Sequence, residues 1–284
     1  MKAIPNGSTV VVGMSGGVDS SVTAALLKEA GYNVIGLFMK NWEEKDAAGI
    51  CTQQADFEDV ARVASQLQIP YYTVNFAKEY REQVFDEFLR ELKKGRTPNP
   101  DILCNREIKF KHLLQEARRL GATHLATGHY AQIGQQDGLH TLMKSLDPGK
   151  DQSYFLYTMT QEVLSQVLFP VGHLPKSEVR KLAKKWNLAT AEKKDSTGIC
   201  FIGERNFRPF LNQFLPYQKG NFETLTGKIV GEHHGIAFYT IGQRKGLGLG
   251  GEGEAWFVVG KDVARNVVFV ERGVNHPALF SNTL

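Results

Sequence analysis

Over the first 130 residues, continuous apolar runs alternate with amphipathic stretches. Ser8–Met14 (STVVVGM) is unbroken and β-branched, the mark of a strand buried on both faces. Asp19–Ala30 has a helical period and stops at Gly31. Asn33–Met39 (NVIGLFM) reads as a second buried strand, and Gln53–Leu67 as an amphipathic helix closed by Pro70. Tyr71–Phe76 is a third strand, and Ala77–Lys94 a long charged helix. A Pro/Asn loop, Gly95–Asp101, leads into a helix over Ile102–Leu120. His124–Tyr130 is a fourth strand. A polar hairpin around Gln135–Gly138 and helices over Thr160–Leu168 and Lys176–Trp186 follow. The pattern changes after about residue 205. From Gly220 to Gly260 there are 11 glycines, separating short β runs at Lys228–Val230, Ile236–Ile241, Trp256–Val259 and, just beyond, Val267–Val270. The fold class this predicts is α/β, a doubly wound parallel sheet over residues 1–205, followed by a small β-rich domain over 206–284.

Composition narrows the function classes. With 284 residues, 42% hydrophobic and 23% charged, the chain has the makings of a packed core, which argues against disorder and against a disulfide scaffold. Its three cysteines, Cys51, Cys104 and Cys200, show neither CxxC nor zinc spacing and point to a reducing cytoplasm, with no metal site expected. No segment has the ~20 apolar residues of a membrane span, so no membrane partner is expected, and the N-terminus lacks the long apolar run of a signal peptide. The net charge of +4 is unremarkable, but its distribution is uneven: +5 within residues 90–119 and +6 within 176–219, leaving −7 elsewhere. Two such segments fit a localised polyanion footprint, or equally two solvated helix faces.

Between the first strand and the first helix lies Gly13–Ser20, GMSGGVDS. Glycines here let backbone N–H groups turn inward as an anion nest, the following helix adds its positive end, and Ser15, Ser20 and Ser21 add donors. The loop lacks the lysine of GxxxxGK[ST] and is not GxGxxG. Asp19 stands where it could cap the helix. Cys104 lies in NPDILCN, where Asp101 as N-cap would put the thiol in a first helical turn beside Arg106 and Lys109. Cys200 lies in DSTGICF after Lys193 and Lys194. Such surroundings favour a thiolate, although a small core cysteine fits each site as well. Cys51 reads as structural.

SGGVDS in this position resembles the loop of the PP-loop ATP pyrophosphatases, whose fold is adenine nucleotide alpha hydrolase-like. GMSGGVDSSV, GLFMKNW, GRTPNPDILCN, IKFK, ATGHY, KDQSYFL, FPVG, KKDSTGICFIGER, IGQRKGLG and a late WFV together, spanning most of residues 8–276, are similar in order to the tRNA 2-thiouridylase family. That resemblance implies ATP-dependent adenylation of C2 of the wobble uridine, position 34, in tRNAs for Lys, Glu and Gln. Sulfur transfer from a cysteine persulfide then gives 2-thiouridine, AMP and pyrophosphate. It implies that Cys200 carries the persulfide, loaded by an upstream sulfur-relay donor protein. Cys104 would be its catalytic partner, able to form a disulfide with it, and Asp101 the acid/base. Gly13, Met14, Ser15, Gly16, Gly17, Val18, Asp19, Ser20, Met39 and Gly128 would bind ATP with its Mg2+. Asn99, Pro100, Asp101, His129, Lys150, Asp151 and Gln152 would meet tRNA, with Phe110, Tyr154, Phe155 and Phe201 as further stacking candidates. The family also carries a C-terminal β-barrel, expected to be absent from a chain ending at Leu284. Two rivals fit less well: a PP-loop enzyme using ammonia has no need of two thiols, and a non-catalytic RNA-binding module has no need of the SGGVDS loop.

Overall fold

The computed structural model describes residues 4–43, 53–195, 207–216 and 218–282. Cys51, Cys200 and Phe201 lie outside the described residues. The chain forms two compact units, Met1–Val84 with Pro100–Glu204, and Phe85–Asn99 with Arg205–Leu284.

The first unit starts with β1 (Thr9–Met14), α1 (Val18–Glu29), β2 (Asn33–Lys40), α2 (Gln54–Leu67) and β3 (Tyr71–Asn75). The helix expected over Ala77–Lys94 is interrupted: α3 (Ala77–Tyr80) runs through a π-helical stretch, Arg81–Phe85, into α4 (Asp86–Lys93), which falls in the second unit. The helix expected from Ile102 starts earlier, as α5 (Pro100–Leu103), and widens into a π-helix over Cys104–Leu113 before α6 (Leu114–Arg119). Its buried residues are Cys104, Asn105, Ile108, Phe110 and Leu113. β4 (His124–Thr127), the hairpin β5 (Ala131–Gln136) and β6 (Leu139–Lys144), α7 (Gln161–Ser165), β7 (Val167–Leu168) and α8 (Lys176–Lys185) complete the unit. Asp137 and Gly138, both with positive φ, make the hairpin turn. The expectation of one helix over Thr160–Leu168 is corrected. Thr160 caps α7, but the branched Val167 and the following Leu168 pair in parallel with β4 as a fifth strand.

The sheet runs β3-β2-β1-β4-β7, all parallel. The chain winds outward from β1 to β3, then returns to the other side of β1 with β4, so the order reverses between β1 and β4. Val10, Val12 and Met14 pack with Leu27 of α1 and Val60, Val63 and Ala64 of α2. On the opposite face, Gly13 lies against Leu113 so closely that a Cβ would sit 3.1 Å from its Cδ2. Val18 and Val22 of α1 meet Val179 and Ala183 of α8 in a second cluster.

The second unit holds α4, α9 (Phe207–Asn212) and a sheet of β8 (Gly220–Glu223), β9 (Ile229–His233), β10 (Trp256–Asp262) and β11 (Val267–Arg272) in the order β10-β11-β8-β9. Phe222, Tyr239, Leu247, Val258, Val268 and Val270 form its core. Phe85 joins this unit because its ring packs on Phe210 and Phe214, at 5.9 and 4.8 Å between centroids. Ile236–Ile241 is not a strand: Ile236–Phe238 is a 3-10 turn that follows Gly235 at φ +138°.

Candidate nucleotide and thiolation site

The carboxyl ends of β1, β2 and β4 bring the predicted nucleotide residues together. Gly13 pairs with Leu37 of β2 and with Thr127 of β4, so Ser15, Met39 and Gly128 emerge from neighbouring strands at the switch point. Met39 is half-buried, whereas Met14 and Val18 point into the core and offer the loop only backbone. Gly16 has φ +75°, and a Cβ there would stand 2.6 Å from the Asp56 carbonyl oxygen. A Cβ on Gly128 would stand 2.7 Å from the Ser20 nitrogen. These two glycines let α2 and the end of β4 close on the loop from two sides.

Serines shape the loop from within. The buried Ser20 hydroxyl accepts from the Ser15 N–H at 3.2 Å and donates to the Gly17 carbonyl at 3.1 Å. Ser21 donates to the same carbonyl at 2.8 Å. Gly17 is the N-cap of the twelve-residue α1 and carries no side-chain cap bond, so its first N–H groups face the loop. Asp19 is therefore not a cap. Its carboxylate accepts from the Lys176 ammonium at 2.7 and 2.8 Å and from the Tyr130 hydroxyl at 2.8 Å. Burial and Asp19 both push the Tyr130 phenol well above its ordinary range, which keeps it a donor.

Lys176 also reaches Asp195, at 2.9 Å, and Asp195 is bound in addition by Arg180 at 2.5 Å and Lys150 at 2.8 Å. Burial works to raise the Asp195 carboxyl, but the Lys150 and Lys176 ammoniums outweigh it and hold it well below the usual carboxylate range. The three residues proposed to touch tRNA at 150–152 all have partners within the chain. Lys150 binds Asp195, and Asp151 accepts from the Ser145 N–H and the Ser153 hydroxyl. Gln152 accepts from the Tyr130 N–H.

His129 lies between Phe110 and Phe169, at 5.7 and 5.9 Å between centroids. Burial first, and the Lys109 charge second, hold its pKa well below the ordinary histidine value. Lys109 can only donate, so its 3.5 Å contact makes Nε2 the acceptor, and Nδ1–H then donates to Thr127 Oγ1 at 2.6 Å. Phe110 is buried in this cluster, whereas Tyr154 is exposed and packs its ring on Phe155 at 4.1 Å.

Two expectations around Cys104 are corrected. Asp101 is the second residue of α5 rather than its N-cap, because the helix already begins at Pro100. Cys104 is then the fifth residue of the helix, in its π-helical stretch rather than its first turn, and it is fully buried, as the core-cysteine alternative allowed. The adjacent Asn105 is buried as well, and donates from Nδ2 to the Phe155 carbonyl at 3.3 Å. The basic segments are less free than their charge suggests. Arg106 and Lys111 share Glu107, Lys94 and Arg96 share Glu91, and Lys181 binds Glu178. Lys193 binds Asp56 and Asp59, both at 2.6 Å. Burial works to lower the Lys193 pKa, but the two carboxylates outweigh it and hold it above the usual lysine value.

Family models match the chain twice, as a tRNA methyl transferase HUP domain over residues 8–204 and a tRNA methyl transferase PRC-barrel domain over 208–272. A protein of Protochlamydia amoebophila named tRNA-specific 2-thiouridylase MnmA is 64% identical over 280 residues, 98% of this chain and 74% of that protein. The protein of the same name from Bacillus subtilis is 57% identical over 284 residues, 100% of this chain and 76% of that one. The chain belongs to the tRNA-specific 2-thiouridylase MnmA family. The domain descriptions speak of methyl transfer, but relatives this similar over nearly the whole chain are named 2-thiouridylases. Among solved structures, the chain is similar to the U34-tRNA thiolase NcsA from Methanococcus maripaludis with its [4Fe-4S] cluster (TM-score 0.45, 21% identity, 75% of this chain and 69% of that one). It is also similar to a 4-thiouridine synthetase–RNA complex with bound ATP (TM-score 0.43, 18% identity, 74% and 50%).

For this 2-thiouridylase, sequence reasoning missed Tyr130, Lys176, Arg180 and Asp195, the cluster around Asp19 beside the Gly13–Ser20 loop. Tyr130 and Asp195 stand inside quoted blocks, ATGHY and KKDSTGICFIGER, which was the available signal. Lys176 gave none: it lies 157 residues from Asp19 and looks like any lysine at the start of a helix.

Proposed function

We propose that this MnmA-family chain, an ATP-dependent tRNA sulfurtransferase, thiolates C2 of the wobble uridine, position 34, in tRNAs for Lys, Glu and Gln, in the cytoplasm where those tRNAs are used. Mg-ATP is a substrate. The loop Gly13–Ser20, with Met39 and Gly128 beside it, takes the nucleotide. The supporting observation is the closeness of Gly16 to Asp56 and of Gly128 to Ser20 at the switch point, where the glycine loop runs into the N-terminus of α1.

In the first step the uridine O2 attacks the α-phosphorus of ATP, the α–β anhydride bond breaks, and pyrophosphate leaves. The terminal sulfur of a Cys200 persulfide, supplied by a donor protein, then attacks C2, and AMP departs with the former O2. The Cys104 thiolate attacks the Cys200 sulfur, the persulfide S–S bond breaks, and its electron pair stays with the sulfur now on C2. The resulting Cys104–Cys200 disulfide is reopened by an external thiol reductant. Asp101, one turn before Cys104, handles the proton at the base. Asn99, Pro100, His129 and Lys150–Gln152 shape the surface that meets tRNA. The base must leave its stack for C2 to be reached. The buried position of Cys104 fits a thiol that acts only after sulfur has been delivered, and its approach to Cys200 requires Cα atoms within ~7 Å.

The test is mass spectrometry of a wobble-uridine tRNA incubated with the enzyme, Mg-ATP and a persulfide donor. An oxygen-to-sulfur mass gain with AMP and pyrophosphate supports the reading. ADP as the main product, or adenylation without sulfur, overturns it.

A further inference from the structure

Residues 191–195, the approach to Cys200 in the sequence, are tied to both walls of the nucleotide loop. From α2, Asp56 and Asp59 each hold the Lys193 ammonium at 2.6 Å. Asp56 is also the residue whose backbone lies against Gly16, where an added Cβ would stand 2.6 Å from its carbonyl oxygen. From α1, Asp19 shares the Lys176 ammonium with Asp195. From α8, Arg180 donates to the Ala191 and Lys193 carbonyls at 2.9 and 2.6 Å and to Asp195 at 2.5 Å. Exposed ion pairs usually contribute little. Here the Lys176 and Asp59 side chains are only 13% and 12% exposed, and each lysine grips two carboxylates, which makes these contacts specific points of attachment.

Sequence reading placed Lys193 among the groups that meet RNA phosphates or favour the Cys200 thiolate. The geometry spends its charge elsewhere. We propose that Lys193 and Lys176 are positioning residues of the thiolation reaction, fixing residues 191–195 against the nucleotide loop so that ATP and the sulfur carried at Cys200 share one frame. The proposal rests on the two-cysteine reading above. It makes Lys193 neither a phosphate contact nor a sulfur carrier. Asp56 then serves twice, backing Gly16 with its main chain and holding residues 191–195 through Lys193 with its carboxylate.

The test uses the full chain, with Lys193→Met, Asp56→Asn and the double variant. Thiolation kcat, tRNA affinity across a salt series, and persulfide sulfur retained on Cys200 are measured for each. In Lys193→Met, kcat falls between about tenfold and a hundredfold, the scale of a small misplacement of reacting groups. Its tRNA affinity, salt slope and persulfide loading stay at wild-type values. The double variant loses no more than Lys193→Met alone, because the contact that Asp56→Asn removes is already gone without the lysine. A wild-type kcat in Lys193→Met overturns the proposal. So does a tRNA affinity loss with a salt slope shallower by about one, which would make Lys193 a phosphate contact. Additive losses in the double variant overturn it as well. If Lys193→Met fails to fold, Asp56→Asn with Asp59→Asn leaves the lysine in place and is read against the same outcomes. A wild-type chain that forms no 2-thiouridine defeats the functional reading itself, whereas a Lys193→Met variant that thiolates normally defeats only this inference.

Discussion

Gly16 shows how much one residue decides. Its φ of +75° disfavours any other side chain, and the Asp56 carbonyl leaves no room for a Cβ. Gly16→Ala is expected to cost about 1–3 kcal/mol of stability from backbone strain and to reduce AMP formation far more than tRNA binding. Thermal melting, AMP release and filter binding check this, and an equal loss of tRNA affinity would show that the two sites are not separable. His129 carries a different expectation. Its folded pKa lies below the ordinary value of about 6.5, so the unfolded chain takes up the proton first. The stability it contributes is complete above about pH 6.5 and is lost as pH falls below that value. Nitrogen NMR shifts of His129 should report the neutral Nδ1–H form throughout pH 6.5 to 8, and a protonation midpoint inside that range would contradict the lowered pKa.

At the scale of elements, the nucleotide loop and α1 act as one piece. Ser20 joins Ser15 to Gly17 through a buried hydroxyl, so Ser20→Ala should cost about 1–2 kcal/mol and raise the KM for ATP. A melting curve and ATP titration measure both. The cluster between α1 and α8 sets the response to acid. Asp195 has its folded pKa depressed by Lys150 and Lys176, so its contribution is present above the unfolded carboxyl value of about 3.9 and is lost as pH falls below it. Asp195→Asn should therefore flatten the fall in stability below about pH 4, measured by denaturant unfolding at several pH values, while an unchanged slope would remove Asp195 from that balance. Strands β1, β2 and β4 and helices α1, α2 and α8 were legible from a 3.6 period or a buried run, and the exposed β3 from its aromatic and β-branched residues. β7 was not, since two residues give no period and only pairing with β4 makes them a strand. The π-helical stretch at Cys104 was hidden for a related reason: its buried positions suit a helix of either width until neighbouring side chains choose one.

For the whole molecule, charge on paper and charge available differ. Residues 90–119 and 176–219 together carry +11, yet many of their lysines and arginines already pair with this chain's own carboxylates. If six phosphates of tRNA are contacted, the slope of log K against log salt is about −4 to −5. A titration between 50 and 200 mM salt tests that footprint, and a flat response would remove it. The larger part of the second unit was visible as glycine-separated β runs, but its use of Phe85–Asn99 was not, because the Phe85 contact with Phe210 and Phe214 joins residues more than 120 positions apart.

The sequence by itself determined the alternating α/β order and the loop at Gly13–Ser20, because local period and glycine content are written residue by residue. It also carried the family, through motifs whose order survives without any coordinates. Tertiary structure alone decided which charges are spent. Lys176 on Asp19 and Lys193 on Asp56 are partners separated by 157 and 137 residues. No local pattern marks such pairs. They exist only because the parallel sheet brings the end of β1 beside α2 and α8, where side chains far apart in sequence come within ion-pair distance.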